Sequence, residues 1–153
     1  MNTEEQVRAM LAKMDDVETV ERKLFDLGKR ATSSAHWRWV PGMAAWDALN
    51  NVERIGSDDD IKAFVFYKGG LHGFCLPCLD DPATLGCIEH GLLPGLYGDD
   101  CNLASWVAAD GSTRWALEYT PDPCSSPHQR VSVSDVGHES KGEALVFALE
   151  AAP

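Results

Sequence analysis

The sequence predicts an α+β domain with a mainly antiparallel sheet of about five or six strands, an N-terminal amphipathic helix, a central helix and a C-terminal helix. Three observations predict it. Apolar residues recur one, three or four apart from Val7 to Leu27; two β-rich runs flank Asp110-Gly111; and Ala144, Leu145, Ala148, Leu149 and Ala152 line one side of a closing helix. At 153 residues the chain is the size of one domain and can bury a core without disulfide staples. Residues 1–30 read as an N-terminal helix or helix pair, packed as one unit with an α+β domain over residues 36–153.

Taken in order, Thr3 opens a capping box with Gln6, and Val7, Met10, Leu11, Met14, Val17, Val20, Leu24 and Leu27 form the apolar stripe of a helix. The stripe serves as a core face or a dimer seam. Asp15-Asp16 offers a second N-cap that would divide the helix in two, and Gly28 with Lys29 and Arg30 reads as its C-terminal stop. After a linker at residues 31–35, Trp37 and Trp39 share one face of an extended segment. They read as packing residues, because no basic groove accompanies them as base stacking would need.

Asn50-Asn51 suits a tight turn between 44–49 and 52–55. Gly56 to Asp60 reads as a solvated loop, followed by a strand over 61–67 that has the highest β propensity in the chain, then a turn at Lys68-Gly69-Gly70 into a strand over 71–76. Asp80-Asp81-Pro82 is a helix opening: an acidic N-cap with proline at the first helical position. That helix runs to about His90, with Gly91, Pro94 and Gly95 as the stop. Ser105–Ala109 and Thr113–Tyr119 form the clearest hairpin, Thr120–His128 an irregular loop, Arg130–Ser134 a last short strand, and Glu139–Ala152 the closing helix.

The sharpest chemical pattern is the pair Cys75-Leu-Pro-Cys78 and Cys87-Ile-Glu-His90, whose two-residue spacings let thiolates and an imidazole converge on one zinc ion. Two other readings stand beside it. Cys87 also fits as a small buried apolar residue, and a CxxC can be a redox site. The eight residues between the pairs are shorter than usual zinc spacings, and Asp80 and Asp81 would raise a neighbouring thiol pKa rather than lower it. The expectation is no cofactor, with zinc as the alternative.

The formal charge of −11 is unevenly placed. Residues 1–30 hold six bases and seven acids, whereas Asp47–Asp110 hold eleven acids against Arg54, Lys62 and Lys68. That field disfavours direct contact with a nucleic acid backbone. It either keeps the protein soluble or presents a phosphate-like surface to a basic partner. Asp58, Asp59, Asp60, Asp80, Asp81, Asp99 and Asp100 are the candidate contacts. No apolar run is long enough to span a bilayer, the charged N-terminus does not read as a signal peptide, and five irregularly spaced cysteines fit a reducing cytoplasm.

Three segments carry a resemblance. Trp37-Arg38-Trp39-Val40-Pro41-Gly42-Met43, Asp80-Asp81-Pro82-Ala83-Thr84-Leu85-Gly86-Cys87 and Gly142–Ala152 resemble a group of small, uncharacterised proteins encoded by bacteriophages and prophages, in which W-x-W-x-P-G-M, D-P-A-T-L-G-C and E-A-L-V-x-A-L-E-A-A occur in this order. The match covers most of the chain after about residue 36 and leaves out the N-terminal helix, and the group pattern lacks Cys75 and Cys78. The resemblance implies a phage accessory protein working in the bacterial cytoplasm, and it carries no catalytic residues.

The usual catalytic patterns are missing: there is no Gly-rich phosphate loop, no H-E-x-x-H and no G-x-S-x-G. The leading expectation is therefore a non-enzymatic protein, monomer or homodimer. It would bind a host or phage complex with a basic surface, in concrete form as an inhibitor of the anti-CRISPR type. The alternatives are a small zinc-stabilised interaction module and a cysteine- or metal-dependent enzyme.

Overall fold

The computed structural model describes residues 3–46, 51–63, 75–122, 124 and 129–153. The chain opens with one uninterrupted helix, α1 (Thr3–Ser33), with Glu4 and Glu5 in its first turn and Arg30 in its last, each of the sign its helix end favours. Asp15-Asp16 does not divide it, and Gly28 does not end it. Gly28 is instead a point of close approach: a Cβ there would lie 3.2 Å from that of Leu76 and 3.6 Å from Pro77. The helix continues because Ala31 is buried beyond it, while the hydroxyls of Thr32 and Ser33 bond back to carbonyls in the preceding turn.

Residues 37–40 form no strand, yet Trp37 and Trp39 meet edge to face, 5.4 Å apart, and pack against the core. The first sheet follows. Strands β1 (Ala44–Trp46) and β2 (Val52–Arg54) are antiparallel, and β3 (Leu76–Pro77) pairs on the other side of β1. Trp46 faces Val52, so five residues join these strands, where a two-residue Asn50-Asn51 turn would have set Leu49 against Val52.

The expected loop at Asp58–Asp60 is the first turn of a helix, α2 (Asp58–Ala63). The Ser57 hydroxyl accepts from the Asp60 amide at 3.2 Å, and the acids suit the positive end of the helix dipole. Ile61–Ala63, assigned above to a strand, therefore belong to α2; the remainder of that strand, the turn at 68–70 and residues 71–74 lie outside the described residues.

Helix α3 (Pro82–Cys87) opens as its sequence predicts, with Asp81 as N-cap and Pro82 in the first turn. It does not stop near Gly91. A π-helical turn over Ile88–Leu92 carries it on, with the Leu93 amide bonded to the Ile88 carbonyl five residues back, and a last turn, α4 (Pro94–Tyr97), follows. Ile88, Leu92 and Leu93 are all buried as a result.

The second sheet contains β4 (Asn102–Val107), β5 (Thr113–Tyr119) and β6 (Val131–Ser132), all antiparallel, in the order β4-β5-β6. Gly111, at φ +82°, closes the β4–β5 hairpin: its amide donates to the Ala108 carbonyl, and the Ala108 amide donates to the Ser112 carbonyl, each at 2.9 Å. Among the described residues, the single sheet of five or six strands is thus corrected to two antiparallel sheets of three, because the helical segment 82–97 lies between them in the chain and both flanks of β1 are taken by β2 and β3.

The last helix, α5 (Lys141–Ala151), starts at Ser140, whose hydroxyl accepts from the Glu143 amide. Gly142, Ala144, Leu145, Val146, Ala148 and Leu149 are buried, on more than one side of the helix. Sheet β4-β5-β6, α1 and α3 all pack on α5, and Leu145 and Leu149 sit in the same core as Met43, Leu79, Ile88 and Leu117.

Candidate functional site

The most organised polar cluster is built by residues far apart in sequence. Strand β2 presents Arg54, whose guanidinium donates to both carboxylate oxygens of Asp81, at 2.8 and 3.1 Å, and to the Gly42 carbonyl at 2.7 Å. Asp81 is held by its capping role: its Oδ2 also accepts from the Thr84 amide and hydroxyl, each at 2.8 Å. Thr84 is fully buried, and its hydroxyl oxygen accepts from the Ala44 amide at 2.8 Å, which ties the helix start to β1. The Arg54 bonds hold the Asp81 carboxyl well below the usual carboxylate range; burial opposes this, and the two Thr84 bonds add to it. An open groove of about 410 Å³ runs beside the cluster, with Trp46, Val52, Arg54, Cys78, Asp80 and Asp81 among its walls.

The seven candidate aspartates separate along the chain into one group before the helical segment 82–97 and a second after it. Asp58, Asp59, Asp60 and Asp80 are exposed, the first three on the turn of α2 that follows β2. Asp60 also accepts from the Gly56 amide at 3.2 Å, and Asp81 is taken up by Arg54 and Thr84. Asp99 and Asp100, both exposed, follow α4. Asp100 lies 3.5 Å from Arg130, and its carboxyl pKa is lowered first by a bond from Thr120. Arg130 also bonds Asn102 and the Glu118 carbonyl, linking the second aspartate group to the β4-β5-β6 sheet.

The cysteine and histidine pairs do not assemble into a zinc site. Among the described residues no three His, Cys, Asp or Glu side chains come together in a way that could hold a metal ion. Cys75 is half-buried; Cys78 is buried, and its thiol is pushed up to about 12 by that burial and then by the charge of Asp80. Cys87 donates to the Pro41 carbonyl at 3.6 Å, and burial raises its pKa as well. His90 points outward and lies 3.8 Å from Glu89. Raised thiol pKa values run against the redox reading, since the thiolate is the reactive form. Cys124 is exposed, and His72 and His128 lie outside the described residues.

Arg54, Thr84 and Arg130 organise these clusters, and none was singled out as a site residue by spacing. For Thr84 a signal existed: it stands three residues after the N-cap aspartate, where a side chain can join the cap. Arg54 and Arg130 act across 27 and 30 residues of chain, to Asp81 and Asp100, and no local pattern announces that.

Among the described residues no helix is long and apolar enough to cross a membrane. The chain matches no protein-family model, no curated protein and no solved structure.

Proposed function

We propose that the protein is a non-enzymatic binding protein whose exposed carboxylates engage a basic surface on a partner protein. The observation that carries this reading is the charge distribution: Asp58, Asp59, Asp60 and Asp80 are solvent-exposed, within a stretch of eleven acids and three bases. A surface of that sign attracts and orients a basic partner through its field. Asp81 and Asp100, already paired with arginines, contribute to the field more than to direct contact.

The resemblance of the three sequence segments to phage-encoded proteins supports an action inside a bacterium. In its most specific form, the protein is an accessory inhibitor that occupies the nucleic-acid site of a host defence complex such as a CRISPR effector, with its aspartates in the positions of phosphates. Asp58→Lys with Asp59→Lys leaves the Asp60 bond to Gly56 in place and is the direct test. Against a purified CRISPR effector complex, association should slow by about tenfold or more and lose most of its salt dependence. Binding by the doubly substituted protein at the parent rate, with circular dichroism unchanged, would remove the acidic surface from the mechanism.

A further inference from the structure

Building on the basic-partner reading above, we infer that the groove beside the Arg54–Asp81 pair receives one arginine side chain of that partner, its guanidinium on the Asp80 carboxylate and its stem along Trp46 and Val52. The two acids of the groove stand in different states. Both oxygens of Asp81 are taken, Oδ1 by Arg54 and Oδ2 by Arg54 and Thr84, so Asp81 and Arg54 neutralise one another within the wall. Asp80 lines the same groove, is exposed, and makes no hydrogen bond or ion pair among the described residues. Its carboxylate lies close enough to Cys78, a third lining residue, to help keep that thiol protonated. The lining thus carries one uncompensated charge, a negative one, which complements a single cation.

The remaining walls select arginine. Trp46 and Val52 stand opposite one another across β1 and β2, and Val52 is 63% exposed, so the pair offers an apolar shelf for an alkyl stem. Trp46 is half-buried with its ring nitrogen inside, which leaves ring carbon as the surface it can present. A planar guanidinium stacks on such a ring and gives up water more readily than the compact ammonium of lysine does. At about 410 Å³ the groove is near the small end of ligand-sized clefts, room for a side chain and not for a folded element. An arginine seated in a pocket of this kind is a common anchor of protein interfaces.

Titration of the isotope-labelled full chain with N-acetyl-arginine methylamide, followed by amide chemical shifts, tests the groove without a partner. Shifts should be confined to residues 44–46, 52–54 and 78–82 and saturate at about 1–10 mM. The lysine counterpart should bind more weakly, and the citrulline counterpart, which keeps the shape and lacks the charge, should not bind. Asp80→Asn should weaken the arginine probe about threefold or more, whereas Asp135→Asn, which removes another exposed acid, should not. Trp46→Leu should erase the preference for arginine over lysine, and Asp80→Asn, at an exposed position, carries the test if Trp46→Leu fails to fold. Shifts spread over all the exposed acids overturn the inference, as does citrulline or lysine binding as tightly as arginine, or Asp80→Asn at the parent affinity. The probe is a single residue and the Asp58→Lys with Asp59→Lys test uses a whole partner, so an empty groove and an unused acidic surface give different results.

Discussion

Asp81→Ala is expected to destabilise the protein by about 2 kcal/mol at neutral pH. Losing the N-cap side chain costs about 1 kcal/mol, and the buried Thr84 hydroxyl loses its acceptor, a further ~1 kcal/mol. The Arg54 pair adds little to this, because the Arg54 side chain is 52% exposed and solvent screens it. Asp81→Asn separates the contributions: the amide still caps the helix but loses the ionic contact, so it should cost clearly less than Asp81→Ala. The pH dependence has a definite sign. The folded carboxyl titrates below its ordinary 3.8, so its contribution is fully present above that value and is lost as pH falls through it toward the lower folded value. The parent's advantage over Asp81→Asn should therefore narrow between pH 5 and about pH 3, measured by urea denaturation at a series of pH values. If both variants stay within about 0.5 kcal/mol of the parent at pH 7, or the gap is constant down to pH 3, the cluster is not held together in this way.

Two further outcomes follow from close packing and burial. A Cβ at Gly142 would come within 2.7 Å of the Leu79 carbonyl oxygen, which is backbone and cannot swing aside, so Gly142→Ala should lower stability by about 1–3 kcal/mol in thermal or urea unfolding despite alanine's better helix propensity. A thiol-specific reagent at neutral pH should modify exposed Cys124 first and reach Cys78 and Cys101 only on unfolding, since burial raises both of those pKa values; mass spectrometry of the labelled peptides gives the order.

Local chemistry was the legible part of the chain. Asp81-Pro82 opened a helix and Asp110-Gly111 closed a hairpin, because a cap or turn depends on residues a few positions apart. Punctuation misled where a glycine had another use. Gly28 lies in the crossing of α1 over β3, and Gly91 sits with nothing near the position of a Cβ, so neither is needed to end a helix. The division into two sheets was hidden because strand partners are chosen by long-range packing. Exposure of the aspartates followed from their number and clustering, whereas the pairing of Arg54 with Asp81 required the fold to bring distant residues together.

The π-turn after α3 has a consequence for what the chain can tolerate. Its wider loop of backbone absorbs one surplus residue, which turns two consecutive leucines inward and shifts the phase of all that comes after. Tyr97, whose hydroxyl donates to the Ala148 carbonyl at 2.7 Å, depends on that phase. Shortening the 88–92 stretch by a single position would leave its composition almost untouched, yet swing the tyrosine away from α5 and unlatch the two helical layers from each other.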